Sequence, residues 1–505
     1  MVYYQAGISS LAVCFPKTIR TNDYWQQKYP ELVPPLRKKR TARNKSTLEF
    51  GELDIWSQEV APYLTDPFRG NVERRVVDNN ESSLTLEYGA AQDALNAAQL
   101  SPEQIDLIIV SSLFGKQSIA GNAVHLADKF NLSIPAWNLE STCSSALIAL
   151  QNACALIKSG EYTRILVVTS HLGSYAVDDR DTLAWSMGDG AGALIVEKLE
   201  QYHGVLGTKI VNTASTCGAY TQEMMVDSEG IQRISTRTGE NASMIALTAV
   251  DFVRTCCQGA AGVAEVSLQN IDYFVFNTPT AWYASVCAKA LGIGPDKVIN
   301  LYPRYANIGP VYPIANLYHA ALSKKIKAGD LVLVYSNGAG ATATAHIMRW
   351  GNVNLGSIPA APIRVTPEQE QIVTTLSEKS ASEISLEVKN NQFSQEQILA
   401  VKPEERRQLL ETYVLQVLSD LLQVDSFQLD SQQSLSHLID SLIALELKRR
   451  IENDLKISVP MKEFFQNDRL EQLIDFLLVQ LTITSLTTPS SVTEEKGENI
   501  QEFVL

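Results

Sequence analysis

The chain has 505 residues, 45% of them hydrophobic, and a formal net charge of −14. That length exceeds the needs of one ordinary domain and supplies a large core, while the acidic balance argues against nucleic acid as a main partner. The 7 Cys and 6 His are scattered, with no CxxC pair and no metal-ligand spacing, so neither a metal site nor a disulfide framework is expected. The opening MVYYQAGISSLAV has no positively charged leader, and no apolar run is long enough to span a bilayer. A cytoplasmic protein with no membrane partner is expected.

Residues 5–13 read as a first strand. The irregular region 24–69 holds a basic cluster of Arg37, Lys38, Lys39, Arg40, Arg43 and Lys45. Such a run is either a solvated face or a docking patch for an acidic carrier or a nucleotide phosphate. Residues 82–98 form an amphipathic helix, 100–112 a turn and buried strand, and 121–131 a further helix. The stretch WNLESTCSSALIALQNACALIKSG, residues 137–160, is a short buried segment, a sharp turn carrying Cys143, and a long apolar helix. A thiol at a helix N-terminus meets the positive end of the macrodipole, which favours the thiolate. The unpaired N–H groups of the first turn can hold an anion. Together they suit acyl transfer through a thioester; the competing reading is a buried structural Cys. Residues 160–170 are another buried strand. Short apolar runs alternating with helices predict a mostly parallel sheet covered on both faces.

The second half repeats this order. VSLQNIDYFVFNT (266–278) echoes residues 100–112, a helix follows at 281–291, and AGDLVLVYSNG (328–338) echoes 160–170. GDGAGALIVEK (188–198) and GAGATATAHIM (338–348) close the two halves alike. The pattern is an internal duplication, and equivalent strand ends should meet at a cleft on a pseudo-twofold axis. Residues 1–350 form this domain. Residues 351–401, rich in Pro, Ser, Glu, Gln and Asn, read as a linker. Residues 402–481 are a run of helical patterns, and 482–505 a polar tail expected to be disordered.

Residues 1–350 resemble a ketoacyl-acyl-carrier-protein synthase III of the thiolase-like fold. The resemblance is carried by GNVERRVVDNNESSLTLEYGAAQDALNAA (70–98), the Cys turn, WSMGDGAGALIVE (185–197) and YANIGPVYPIANLYHAAL (305–322), in that order and spacing. It implies an α/β fold of duplicated αβαβα layers and a homodimer. It implies that Cys143 is the acyl-accepting nucleophile of a Cys–His–Asn triad whose Asn maps to Asn307. It also implies a second oxyanion donor from the backbone near Ala339, in the turn Gly338–Gly340, beside the N–H of Cys143. The His position is occupied by Asn277, in FNTPTAW. An amide can donate a hydrogen bond to a thioester oxygen or enolate, but it cannot take up a proton. His171, at a strand end where the cleft should lie, His319 in a helix, and His346 in a closing strand are the other imidazoles weighed.

DSLIALELKRRIENDLKISVPMKEFF (440–465) resembles an acyl or peptidyl carrier protein, a small all-α four-helix domain, with Leu438–Ile439 in place of the usual Gly-Leu or Gly-Ile. This resemblance implies a 4′-phosphopantetheine on Ser441, installed by a phosphopantetheinyl transferase; the bland reading of Ser441 is a plain helix N-cap. Three functions follow: condensation of a Cys143-bound acyl group with a decarboxylating carrier-bound unit, transfer to an alcohol, amine or thiol without decarboxylation, or a non-catalytic partner that holds a carrier. The expected substrates are acyl-coenzyme A or acyl-carrier thioesters, and the fused carrier points to other enzymes of polyketide or fatty-acid-type secondary metabolism as partners.

Overall fold

The computed structural model describes residues 5–33, 54–78, 80–115, 121–200, 202–226, 232–367, 395–422, 441–457, 459–460, 463–466 and 470–487. The chain divides into two compact units, Met1–Thr374 and Thr375–Leu505. The first half of the first unit runs β1 (Gln5–Cys14), β2 (Thr18–Thr21), α1 (Asn22–Lys28), α2 (Ile55–Val60), β3 (Glu73–Val76), α3 (Ser83–Ala98), β4 (Leu107–Leu113), α4 (Gly121–Lys129), β5 (Ala136–Asn138), α5 (Ser145–Ser159), β6 (Arg164–Leu172) and β7 (Asp189–Leu199). The second half runs β8 (Gly204–Asn212), β9 (Tyr220–Val226), β10 (Gln232–Thr238), α6 (Ala242–Val263), β11 (Tyr273–Phe276), α7 (Tyr283–Leu291), α8 (Tyr302–Tyr305), α9 (Tyr312–Leu322), β12 (Leu331–Asn337) and β13 (Thr342–Arg349), followed by β14 (Asn354–Leu355) and β15 (Ile363–Arg364).

Two large sheets result, ordered β14-β1-β7-β6-β4-β5 and β8-β13-β12-β11. The duplication is visible in them. β1-β7-β6-β4 and β8-β13-β12-β11 share one pattern of directions: antiparallel, antiparallel, parallel. The expectation of a mostly parallel sheet is therefore corrected to two mixed sheets. β4–β6 and β11–β12 are parallel because helices cross over between them, whereas the chain enters β7 and β13 without a helical crossover and so reverses direction.

Between the sheets lie α5 and α9. Ala146, Leu147, Ala149, Leu150 and Ala153 of α5 pack in one core with Ile314, Leu317 and Tyr318 of α9, Val167 and Leu194 of the first sheet, and Val275 and Val334 of the second. The small residues of α5 let a helix sit close to sheets on both sides. α3 and α4 cover the outer face of the first sheet, and α6 and α7 that of the second. The layers are thus α-β-α-β-α. α3 starts on a capping box in which Ser82 and Thr85 exchange backbone-to-hydroxyl bonds. Residues 354–364, expected within the linker, instead extend the first unit. β14 pairs with β1 and β15 with β2, since both strands had an open edge to fill.

The outer layer holds a feature with no counterpart in the sequence reading. Glu87 of α3 is fully buried. Its carboxyl accepts from the Ser112 hydroxyl, from Ser170 Oγ at 2.6 Å and from Asn122 Nδ2 at 2.8 Å. Burial pushes the carboxyl up from 4.5 to about 7; these donors oppose the rise and the nearby Glu140 adds to it. The folded state therefore binds a proton more tightly than the unfolded chain. The stabilisation is full at acid pH and is lost as pH rises through the folded value. Glu87→Gln should leave thermal unfolding near pH 5 unchanged and stabilise the protein near pH 8 by on the order of 2 kcal/mol, read as a higher melting temperature in alkaline buffer alone.

The second unit is all-α in its described residues: α10 (Gln395–Ala400), α11 (Pro403–Leu422), α12 (Ser441–Leu455), α13 (Glu463–Gln466) and α14 (Leu470–Thr487). Ala444, Leu447, Ile451 and Leu455 recur at helical spacing along α12 and bury against Leu410, Val414 and Leu418 of α11 and Leu473 and Leu477 of α14. α14 runs past residue 481, where the tail was expected to begin; residues 488–505 lie outside the described residues.

Candidate active site

The turn before α5 is held from both halves of the duplicated fold. Residues Thr142–Ser144 make one short helical turn, and Thr142 sits at φ 48°, an unfavourable left-handed conformation for a β-branched residue. Hydroxyls fix it there. Ser145 Oγ accepts from Ser141 N and donates to Thr142 O, both at 2.7 Å. Thr342 Oγ1, on β13, lies 2.7 Å from both Ser141 Oγ and Ser144 Oγ. Ser336 Oγ, on β12, donates to Cys143 O at 2.6 Å. The strained turn aims Cys143 into a cavity of about 360 Å³, also lined by His171, Met187, Cys217, Asn307 and Ala339. The cavity takes Leu113 from the end of β4, His171 from β6 and Ala339 from the turn after β12, while β11, the counterpart of β4, gives it no lining residue.

The Cys143 thiol is only partly accessible. Burial pushes it up to about 11, with its own backbone N–H acting in the opposite direction. The expected thiolate is thereby corrected: in the free protein, desolvation outweighs the helix end, and the thiol is neutral near pH 7. Burial also raises Cys154, on the same helix, to about 12.

Asn307 is fixed by its neighbours. Its N–H donates to Ser186 O at 2.8 Å, its carbonyl accepts from Gly188 N at 3.0 Å, and its Oδ1 accepts from Gly309 N at 2.9 Å. That leaves the amide Nδ2 for the cavity. In the turn Gly338–Ala341, the Gly338 N–H donates to Thr342 O, the Gly340 N–H to Thr216 Oγ1 and the Ala341 N–H to Thr213 Oγ1. Ala339 keeps the one N–H of this turn with no acceptor among the described residues, and Ala339 lines the cavity.

Asn277 is placed otherwise. It is wholly buried and is not among the residues lining the cavity. Its Nδ2 donates to Gly309 O at 3.0 Å, and its Oδ1 has no partner among the described residues. It braces the loop that carries Asn307. His171 does line the cavity. Its Nδ1 lies 2.8 Å from Gly188 O, and burial pushes it down to about 4 against the pull of that carbonyl. His319 is engaged by Tyr305 OH at 3.0 Å, and His346 is wholly buried within β13. Cys217 and Gly309 are site residues that the sequence did not single out; only the return of the loops after β8 and α8 to the Cys143 turn brings them in. Arg37, Lys38, Lys39 and Arg40 lie outside the described residues. Ser441 is the first residue of α12.

The family profile of 3-oxoacyl-[acyl-carrier-protein] synthase III matches residues 137–214, and that of its C-terminal part matches 263–350. A beta-ketoacyl-[acyl-carrier-protein] synthase III of Bartonella henselae is 30% identical over 292 residues, covering 55% of this chain and 87% of the relative. The chain belongs to the beta-ketoacyl-[acyl-carrier-protein] synthase III family. Within that family, the Chelativorans sp. enzyme is 28% identical over 285 residues, 55% of this chain and 87% of its own length. Beyond the synthase III region, a phosphopantetheine attachment site profile matches residues 412–477, so a carrier domain is fused to the synthase domain. The crystal structure of the Aquifex aeolicus synthase III superposes with a TM-score of 0.54 at 24% identity, over 68% of this chain and 100% of that one. The priming beta-ketosynthase of the R1128 polyketide pathway superposes at 0.57 and 18% identity, over 70% of this chain and 98% of that one. These likenesses give the fold, which is thiolase-like. Among the described residues no helix is long and apolar enough to cross a membrane.

Proposed function

We propose that this chain accepts an acyl group from an acyl-coenzyme A or acyl-carrier thioester onto Cys143 and passes it to an alcohol, amine or thiol without decarboxylation. The observation that carries this reading is the place of Asn277. Decarboxylation puts negative charge on the thioester oxygen of the incoming unit, and that charge needs aimed donors. The Asn277 amide is spent on Gly309 O inside the core, so of the two side chains set against that oxygen only Asn307 faces the cavity. Simple transfer asks less. Its tetrahedral intermediate is met by the backbone N–H groups of Cys143 and Ala339. The family name of the relatives keeps decarboxylative condensation as the second reading.

Ser441 is the first residue of a 15-residue helix, and the backbone N–H groups and dipole of a helix N-terminus favour a phosphodiester. These features fit a 4′-phosphopantetheine, which when attached supplies a thiol that holds an acyl group as a thioester. Incubation with a phosphopantetheinyl transferase and coenzyme A should add the mass of one arm to the wild-type chain and none to Ser441→Ala. A gain that persists in the variant moves the attachment elsewhere.

The function itself is tested on the modified full chain, offered acyl and malonyl thioesters while intact mass and carbon dioxide release are followed. Acyl adducts that turn over to added thiol, alcohol or amine with background carbon dioxide release are expected. Rapid carbon dioxide release coupled to carbon–carbon bond formation establishes condensation instead.

A further inference from the structure

We infer that His171 is the general base of this site, working from the first half of the duplicated fold where the family position in the second half holds Asn277. The inference rests on the acyl-Cys143 reading and supplies the proton acceptor which that reading lacks. His171 is the penultimate residue of β6 and lines the same cavity as Cys143 and Asn307. Its ring is held in one tautomer. Gly188 O can only accept, so Nδ1, 2.8 Å away, carries the hydrogen and Nε2 keeps its lone pair. Nε2 has no hydrogen-bond partner among the described residues and is not one of the sealed, unpartnered polar atoms, and the residue lines the cavity.

Two glycines make the seat for this ring. Gly309 has φ +49°, and a Cβ there would stand 2.6 Å from His171 Cδ2 and 3.1 Å from Nε2. A Cβ on Gly173 would stand 2.5 Å from Cε1 and 3.1 Å from Nδ1. The first of these glycines is also the residue that holds Asn307 Oδ1 and is braced by Asn277. One loop therefore sets both the imidazole and the amide. The remaining weighed imidazoles have no such access: His319 is bonded to Tyr305, and His346 is sealed in the core.

The chemistry closes on these atoms. In loading, Nε2 takes the proton of the Cys143 thiol as sulfur attacks the thioester carbon; the carbon–sulfur bond to the donor breaks, and the proton leaves with the donor thiol. In discharge, Nε2 takes the proton of the acceptor as it attacks; the Cys143 carbon–sulfur bond breaks, and the proton returns to Cys143. Burial keeps both groups neutral at rest, so the base is free to accept when the thioester arrives.

The test follows alkylation of Cys143 by iodoacetamide across pH and its acylation by acyl-coenzyme A, in the full chain. His171→Asn keeps an N–H for Gly188 O and removes the basic nitrogen; His171→Ala opens the seat for added imidazole. Both variants should alkylate and acylate Cys143 about 100-fold more slowly near neutral pH. Their rates should climb steeply toward alkaline pH, where wild type is flatter, and imidazole should restore His171→Ala. Melting temperature confirms folding, and if His171→Ala does not fold, His171→Asn alone decides. Wild-type rates with an unchanged pH profile in a folded variant would reduce His171 to a wall of the cavity. An acyl adduct that survives in Cys143→Ala would instead overturn the acyl-enzyme reading, whatever His171 does.

Discussion

Cys143→Ala is expected to abolish acyl loading, lowering the rate by at least about four orders of magnitude, while the fold is retained. Ala deletes only the sulfur of a partly accessible side chain. The hydroxyl network that shapes the turn runs through Ser141, Ser144, Ser145, Ser336 and Thr342 and touches Cys143 only at its carbonyl, which Ala keeps. Two controls separate nucleophilicity from the mere presence of a thiol. Cys154 is buried within α5 and pushed up to about 12, so Cys154→Ala should label as wild type does. Cys217 lines the same cavity but lacks the strained turn and helix N-terminus, so Cys217→Ala should also label normally. Peptide mapping of the acyl adduct reads all three, and an adduct mapping to Cys217 would displace Cys143 from the reaction.

Gly338→Ala should also be damaging, by geometry alone. A Cβ at this position would stand 2.3 Å from Thr142 Oγ1, 2.5 Å from Ser141 O and 3.0 Å from Ser144 Oγ. The Ser141 carbonyl is backbone, and the two side chains belong to the clasp that holds Thr142 at its unfavourable φ, so none can move without releasing the turn. The substitution pushes the β12–β13 turn away from Cys143, carrying the Ala339 N–H with it. A displacement of about 1 Å in such a site costs on the order of 100-fold in rate, and the overpacking about 1–3 kcal/mol in stability. Acylation rate and melting temperature measure the two. Loss of rate far beyond what the stability change explains would mark the turn as part of the reaction's geometry and not only of the fold.

Much of this was legible along the chain. The echo between residues 100–112 and 266–278, and between the two glycine-rich closing segments, announced two copies of one unit, because a buried strand, a helix and a glycine turn each leave a local mark. The Cys143 turn left a mark for the same reason: a polar, small-residue break stands immediately before an apolar helix. The Asp-Ser-Leu triplet opening an amphipathic pattern marked the carrier domain. Strand direction left no such mark. Residues 354–364 read as linker because two-residue edge strands are stabilised by the neighbour whose edge they complete, not by their own composition.

The sequence by itself determined the duplicated layered fold, the fused carrier, and the short set of Cys, Asn and His residues from which a site could be built. Periodicity and turn chemistry are local properties that the residues carry with them. Only the tertiary structure decided which of that set share a cavity. Asn277 follows β11 and His171 is the penultimate residue of β6, yet the Asn277 amide is turned into the core onto Gly309 O, and the imidazole of His171 lies in the space two glycines leave open. The charge on Cys143 was likewise a tertiary matter. A helix N-terminus favours the thiolate from one side, but burial acts from all sides at once, and no reading of neighbours along the chain can sum a desolvation produced by the packing of both halves.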